Sequence, residues 1–224
     1  LRALWALHVT DGMSEAELLD LTGHESEYVR SWAVNLTVAS RKPSPEAVRR
    51  FAQLAKTDAS PLVRLYLASA LQRIPPEQRW DVLTALLGHD EDRGDHTIPL
   101  MVWYALIPIA ETNPSALASI AARSELRATS KYVARRLAED ITIRSGPVDT
   151  LVAAAATRSE EYQADIVDGL SLGLRGQQGV AKPAGWDAFA KNAGASSDAG
   201  LVAKVRALDT SLGGAGALEE ARRV

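Results

Sequence analysis

Apolar positions recur along this chain at helical spacing, in two distinct styles. Between Ala47 and Lys56, Val48, Phe51, Ala52 and Ala55 fall at i, i+3, i+4 and i+7, while Arg49, Arg50, Gln53 and Lys56 take the other face. That pattern predicts a helix buried along one side. Further on, Leu62, Val63, Leu65, Tyr66, Leu67, Ala68, Ala70, Leu71 and Ile74 cover nearly a whole circumference. A helix of that kind has to be covered on more than one side. A row of helical hairpins achieves this, because each inner helix touches its own partner and its neighbours in the stack. No window alternates with period 2, so no sheet is predicted.

The two styles alternate, and each has its own punctuation. Ser44-Pro45-Glu46 precedes one one-sided helix, Pro75-Pro76-Glu77 the next, Asn113-Pro114 a third and Gly146-Pro147 a fourth. Each is a capping residue or turn followed by proline near the first helical position, where its missing N–H is harmless. Ser14-Glu15-Ala16-Glu17 has the spacing of a capping box. The inner helices repeat. Val29-Arg30 and Val63-Arg64 lie 34 residues apart (29 to 63), each followed by an aromatic, Trp32 and Tyr66. Pro61 aligns with Pro99 at a spacing of 38, Lys131 to Leu137 is a fourth copy, and a weaker fifth begins near Tyr162. Leu1 to Val9 looks like the second half of a unit.

The expected fold is therefore all-α, an α-α superhelix of about five to six hairpins in one solenoid over residues 1–224. The chain opens at Leu1 inside a helical pattern, without Met, which reads as a segment cut at both ends from a longer protein. Gly213-Gly214-Ala215-Gly216 reads as a turn into a last helix, and Pro108 is expected to end or kink the apolar helix Leu100 to Ala110.

Composition narrows the function classes. The chain has 224 residues, 25 Lys+Arg against 28 Asp+Glu, and no cysteine. The absence of cysteine removes disulfides, thiolate zinc sites, iron–sulfur clusters, a cysteine nucleophile and covalently attached c-type haem. No apolar run reaches the roughly 18 residues of a membrane span. Acidic residues outnumber basic ones and are interleaved with them, which argues against nucleic acid as a partner.

Asp58-x-x-Pro61-x-Val63-Arg64, followed by Ala68, Ala70 and Leu71, resembles the HEAT repeat, and Glu25 to Leu36 is a second copy. By this resemblance Arg30, Asp58 and Arg64 belong to a polar ladder between neighbouring units. Position 24, ahead of the copy at Glu25 to Leu36, is His where the other copy has Asp58. A narrower resemblance rests on Leu4-Trp5-Ala6-Leu7-His8, on Tyr66 to Arg73, on Asp95 to Tyr104, on Arg135-Arg136-Leu137 and on Pro183-Ala184-Gly185-Trp186. These strings are similar to the helical middle region of large exported bacterial proteins, the membrane-bound dehydrogenase family with a c-type haem-binding domain. Such proteins join a sugar-dehydrogenase-like β-propeller, a HEAT-repeat region and a cytochrome c domain. The resemblance implies a periplasmic or exported parent, flanking domains of the same chain as partners, and haem c elsewhere in that parent. It implies no cofactor for this segment.

The most polar stretch is His89-Asp90-Glu91-Asp92-Arg93-Gly94-Asp95-His96. Its carboxylates and imidazoles could ligate a divalent cation, although the spacing fails the EF-hand pattern. Alternatively it is an acidic loop whose Asp side chains cap the helix near Pro99, or a docking surface built on Asp92, Asp95 and His96. His8 and His24 are isolated and read as hydrogen-bonded structural residues. Trp5, Trp32, Trp80, Trp103 and Trp186 read as packing between units, with an aromatic ligand groove as the alternative. Leu170 to Gly185, rich in glycine near Arg175 and Lys182, lacks the context of a phosphate-binding loop and reads as a long connection. No Ser–His–Asp arrangement can be assembled.

Three readings of function follow. The first is a non-catalytic scaffold that spaces the propeller and cytochrome domains. The second is a nucleic-acid-binding or base-reading enzyme on a HEAT-like scaffold, as in the alkylpurine DNA glycosylases. The third is a metal-binding or lyase-like module centred on Asp92, Asp95 and His96.

Overall fold

A computed structural model of the chain describes residues 1–10, 12–40, 42–177 and 179–212, and among these there are helices and no strands. The expected turn at Gly213 to Gly216 and the helix after it lie outside the described residues. The fold is all-α, of the HEAT-repeat solenoid class. It divides into two compact units, one from Leu1 to Pro108 and one from Ile109 onward.

The first unit begins with α1 (Arg2–Val9). It continues with α2 (Glu15–Leu21), α3 (Glu27–Thr37), α4 (Pro45–Thr57), α5 (Pro61–Ala70) and α6 (Trp80–Leu86), and ends within α7 (Ile98–Thr112). Helix α2 packs on α3 and α4 on α5, forming hairpins; α3 also packs on α5, and α4 on α6, forming the stack. Odd-numbered helices are thus the inner members and even-numbered ones the outer members. Val63, Leu67, Ala68 and Ala70 of α5 are buried, as are Ala47, Val48, Phe51, Leu54 and Ala55 on the single apolar face of α4. The inner aromatics pack across repeats: Trp5 meets Trp32 edge-on at 4.8 Å between centroids, and Trp32 meets Tyr66 at 6.2 Å.

Helix starts are set by local chemistry. Ser14 and Glu17 form the full capping box, the Ser14 N–H donating to Glu17 Oε2 at 2.8 Å. The hydroxyls of Ser44 and Ser60 accept from the N–H groups of Ala47 and Val63, each followed by proline at the first helical position. Caps of this type each contribute about 1 kcal/mol. Of the two outcomes expected at Pro108, an end or a kink of the helix, the end does not occur. Helix α7 continues to Thr112. The ring removes one internal bond, to the Tyr104 carbonyl, but Tyr104 and Pro108 both lie on an exposed side where the helix tolerates the loss.

The second unit repeats the plan with α8 (Pro114–Ala121), α9 (Arg127–Glu139), α10 (Gly146–Ala155), α11 (Glu160–Gly173), α12 (Trp186–Ala193) and α13 (Ala199–Leu212). Hairpin contacts join α8 to α9, α10 to α11 and α12 to α13, while α9, α11 and α13 stack in order. The expected loop from Leu170 is shorter than its glycine content suggested, because α11 runs through Gly173. Gly169 and Gly173 serve close helix packing. A Cβ on Gly169 would lie 2.4 Å from the Lys131 carbonyl oxygen, and one on Gly173 would lie 2.3 Å from that of Arg135. Ala134 and Ala138 face them from α9, so small residues four apart on both helices bring the backbones together. Among the described glycines, Gly176, Gly179 and Gly185, in the connection beyond, take positive φ.

Gly169→Ala and Gly173→Ala are each expected to destabilise the protein by about 1–3 kcal/mol, since the contact is with backbone that cannot rotate away. Gly94→Ala, where an added Cβ meets nothing within 4 Å, should change stability by less than about 0.5 kcal/mol. Chemical-denaturation midpoints of the three variants test the contrast.

Candidate functional site

Polar side chains inside a helical stack must find partners, because an unpaired buried charge is costly. In the first unit this need produces two successive rungs. Arg30 donates from Nε and Nη2 to the two oxygens of Asp58, at 2.7 and 2.8 Å, and from Nη1 to the carbonyls of His24 and Glu25. One repeat later Arg64 does the same to Asp92, at 2.5 and 2.6 Å, with Nη1 on the Asp58 carbonyl. In each rung the arginine reaches 28 residues ahead for its carboxylate and six back for a carbonyl. The planar guanidinium suits this paired geometry. Arg64 is 2% exposed and Asp92 3%.

The surroundings fix the charges. Burial alone would raise the Asp58 carboxyl, but the Arg30 fork, the Ser60 N–H and the Arg64 charge outweigh it and hold the group below its ordinary value of 3.8. The Asp92 carboxylate, opposed by burial, raises Arg64 above the ordinary arginine value. The Ser60 hydroxyl adds a further tie, donating to Glu27 at the start of α3. His24 stands one repeat before Asp58, where the preceding Asp of the ladder would be. It performs the local half of that role, its Nδ1 accepting the Ser26 N–H as Asp58 accepts that of Ser60.

The loop of residues 89–96 therefore follows the helix-capping alternative rather than the docking one. Asp92 is buried under Arg64 and offers nothing to solvent. Asp95 caps α7, its Oδ1 accepting the N–H groups of Thr97 and Ile98 at 2.7 Å each. His96 is exposed. The three residues do not come together as one face, and among the described residues no group of three or more His, Asp or Glu is placed to hold a metal ion. The ladder stops here because the slot of Arg64 in the next repeat holds Val102, which is buried.

Arg79, unremarked in the sequence, is also buried. It donates to the carbonyls of Ile74 and Ala105 at 2.7 and 2.8 Å, and burial lowers its affinity for the proton. It stands outside every repeat register, so only the fold reveals it.

The second unit ties its hairpins with other residues. Arg127 pairs with Asp165 at 2.6 Å, while Lys131 and Lys204 converge on Asp168 at 3.1 and 3.0 Å. Asp168 is partly buried, which would raise it, but the two ammonium groups hold it below the ordinary value. Arg158 donates to the carbonyls of Ala122 and Ser124 and lies over the Tyr162 ring, 4.5 Å from its centroid. Tyr162 is buried and donates to the Ala121 carbonyl, and burial pushes its hydroxyl to about 12. Trp186 is wholly buried with its indole N–H on Asp209, so it packs and does not line a groove.

Arg64→Leu is expected to destabilise by about 3–5 kcal/mol, because Asp92 would be left buried without its counter-charge. Neutralising the exposed Arg93–Asp90 pair should have almost no effect. Asp58 also makes a pH prediction. Its folded value is depressed, so its contribution is complete above the unfolded aspartate value and is lost as pH falls through the folded one. The stability difference between the wild-type chain and Asp58→Asn should therefore be largest near neutrality and shrink below pH 3.8. Urea titrations at stepped pH would measure it.

No curated protein and no solved structure matches this chain. No helix among the described residues is long and apolar enough to cross a membrane. Residues 15–95, which span α2 to the Arg64–Asp92 rung, match the family of HEAT repeats.

Proposed function

We propose that the chain is a non-catalytic HEAT-repeat scaffold that holds a dehydrogenase-like propeller and a cytochrome c domain of the same exported protein at a set separation. The observation that supports this is the use to which the buried charges are put. Arg30, Asp58, Arg64 and Asp92 are engaged with one another across repeats and locked in fork geometry. A hairpin so tied cannot slide on its neighbour without breaking a buried ion pair, and that stiffness is what a spacer requires. The chain contributes no thiol for haem attachment, so in this reading the haem is carried by the flanking cytochrome domain. The partners are the two flanking domains, and the setting is periplasmic. The base-reading alternative finds no comparable support, since acidic residues exceed basic ones and most arginines inside the stacks face carboxylates or carbonyls.

The test is an in-frame deletion of residues 1–224 from the full-length gene product, with reduction of the haem by dehydrogenase substrate followed in stopped flow. The expected result is at least a tenfold fall in the internal electron-transfer rate, with both flanking domains still folded. An unchanged rate would overturn the spacer role. Salt-sensitive binding to duplex DNA by the intact chain would favour the alternative instead.

A further inference from the structure

Between the outer faces of α4 and α6 lies an open cleft of about 650 Å³, walled on one side by Arg49, Gln53 and Lys56 and on the other by Asp81 and Thr84, with His89 at one end. None of these residues belongs to the rungs described above. Arg49 and Lys56 are exposed, and among the described residues neither has an ion pair or hydrogen-bond partner. That sets them apart from Arg30, Arg64, Arg73, Arg79 and Arg93 in the same unit, all of which are engaged. In a chain with net charge −3, two unpaired cations outnumber the one carboxylate, Asp81, that lines this cleft. The end of the cleft is firm. His89 Nε2 contacts the Ala55 carbonyl at 2.7 Å and Nδ1 contacts Glu91 at 2.7 Å. The ring is thus held at both of its nitrogens.

We propose that this cleft binds an extended acidic peptide of a partner protein. Arg49 and Lys56 are seven residues apart on one helix face, a rise of about 10 Å at 1.5 Å per residue. An extended polyproline-type peptide repeats its side chains every third residue, about 9 Å apart. Carboxylates at i and i+3 of such a peptide therefore meet both cations. Gln53, one turn beyond Arg49 on the same wall, and Thr84 opposite offer an amide and a hydroxyl to the peptide groups, which in this conformation have no internal hydrogen bonds. Asp81 on the far wall disfavours charge along the other edge of the ligand and so sets its facing. The open shape suits a strand of peptide passing through, where a small ligand would need enclosure. The site is separate from the spacer role and stands or falls independently of it.

The experiment uses the full 224-residue chain and a fluorescein-labelled Asp-Pro-Pro-Asp-Pro-Pro-Asp peptide, with binding read by fluorescence anisotropy at low and physiological salt. The expected result is saturable binding that weakens as salt rises, and a loss of about tenfold in Arg49→Ala/Lys56→Ala. Arg49→Glu/Lys56→Glu should abolish binding, while Arg175→Glu in the second unit should leave it unchanged. All three variants change exposed residues, and circular dichroism would confirm their fold. Equal binding by the double-alanine variant, or undiminished binding of the Asn-for-Asp peptide, would overturn the proposal. So would displacement by inorganic phosphate at concentrations equal to the peptide, which would identify the cleft as a small-anion site.

Discussion

Everything in the first unit depends on how an inner helix can carry charge while covered on both flanks. Helix α5 packs on α3 on one side and is enclosed by α4 and α6 on others, yet Arg64 sits in its middle at 2% exposure. Such a group is tolerated only if its charge is paired and its nitrogens are engaged. The fork on Asp92 and the bond to the Asp58 carbonyl engage all three nitrogens, and both acceptors lie in the loops before successive inner helices. The requirement that a buried guanidinium be satisfied thus fixes where each loop must pass. A hydrophobic stack alone would permit neighbouring hairpins to shift by a turn; the rungs do not.

The two units meet the same requirement by different chemistry. In the first, one arginine and one aspartate per interface form a closed pair. In the second, Asp168 is shared by Lys131 and Lys204 from the helices on either side of α11, and Arg158 satisfies carbonyls of the preceding hairpin while covering Tyr162. Lysine is a point charge and does not impose the planar alignment of a guanidinium fork. Closeness of α9 and α11 is imposed instead by glycine and alanine, whose missing side chains let backbone meet backbone. Directional polar contacts in one unit and steric closeness in the other achieve the same end, a fixed offset between inner helices.

The helical hairpins were readable from apolar spacing, capping residues and the 34-residue recurrence of Val-Arg, because those signals are local. What failed was register. Aligning Pro61 with Pro99 gives 38 residues, whereas Asp58 and Asp92 are 34 apart, so four extra residues lie between Asp92 and Pro99. That insertion hid Asp92 inside what looked like an acidic loop, where a buried rung could pass for a capping residue or part of a docking surface. The expected helix end at Pro108 and the Leu170 to Gly185 stretch misled for another reason. Proline and glycine are read as breakers from averages, but a proline on an exposed face costs one bond, and a glycine at a helix crossing is there because of its neighbour. Neither fact is visible until the partner helix is in place. Arg79 has no sequence signal at all, since its acceptors are carbonyls.

This division bears on where function can reside in a repeat protein. A charged residue in such a chain is either needed to hold the stack or left over, and sequence alone does not separate the two. Arg30, Arg64 and Asp92 look as reactive on paper as any site residue, yet they are engaged in holding neighbouring repeats together and their removal would report on folding. The loop between α6 and α7 illustrates the point further: Asp92 anchors it below, Asp95 caps the next helix, and His89 and Glu91 hold each other. A surface so committed has little left with which to recognise a partner. Recognition then has to come from helix faces that the stack leaves open, where side chains keep their charge and their freedom, and it is on such a face, between α4 and α6, that the unpaired cations of the first unit's central repeat are found.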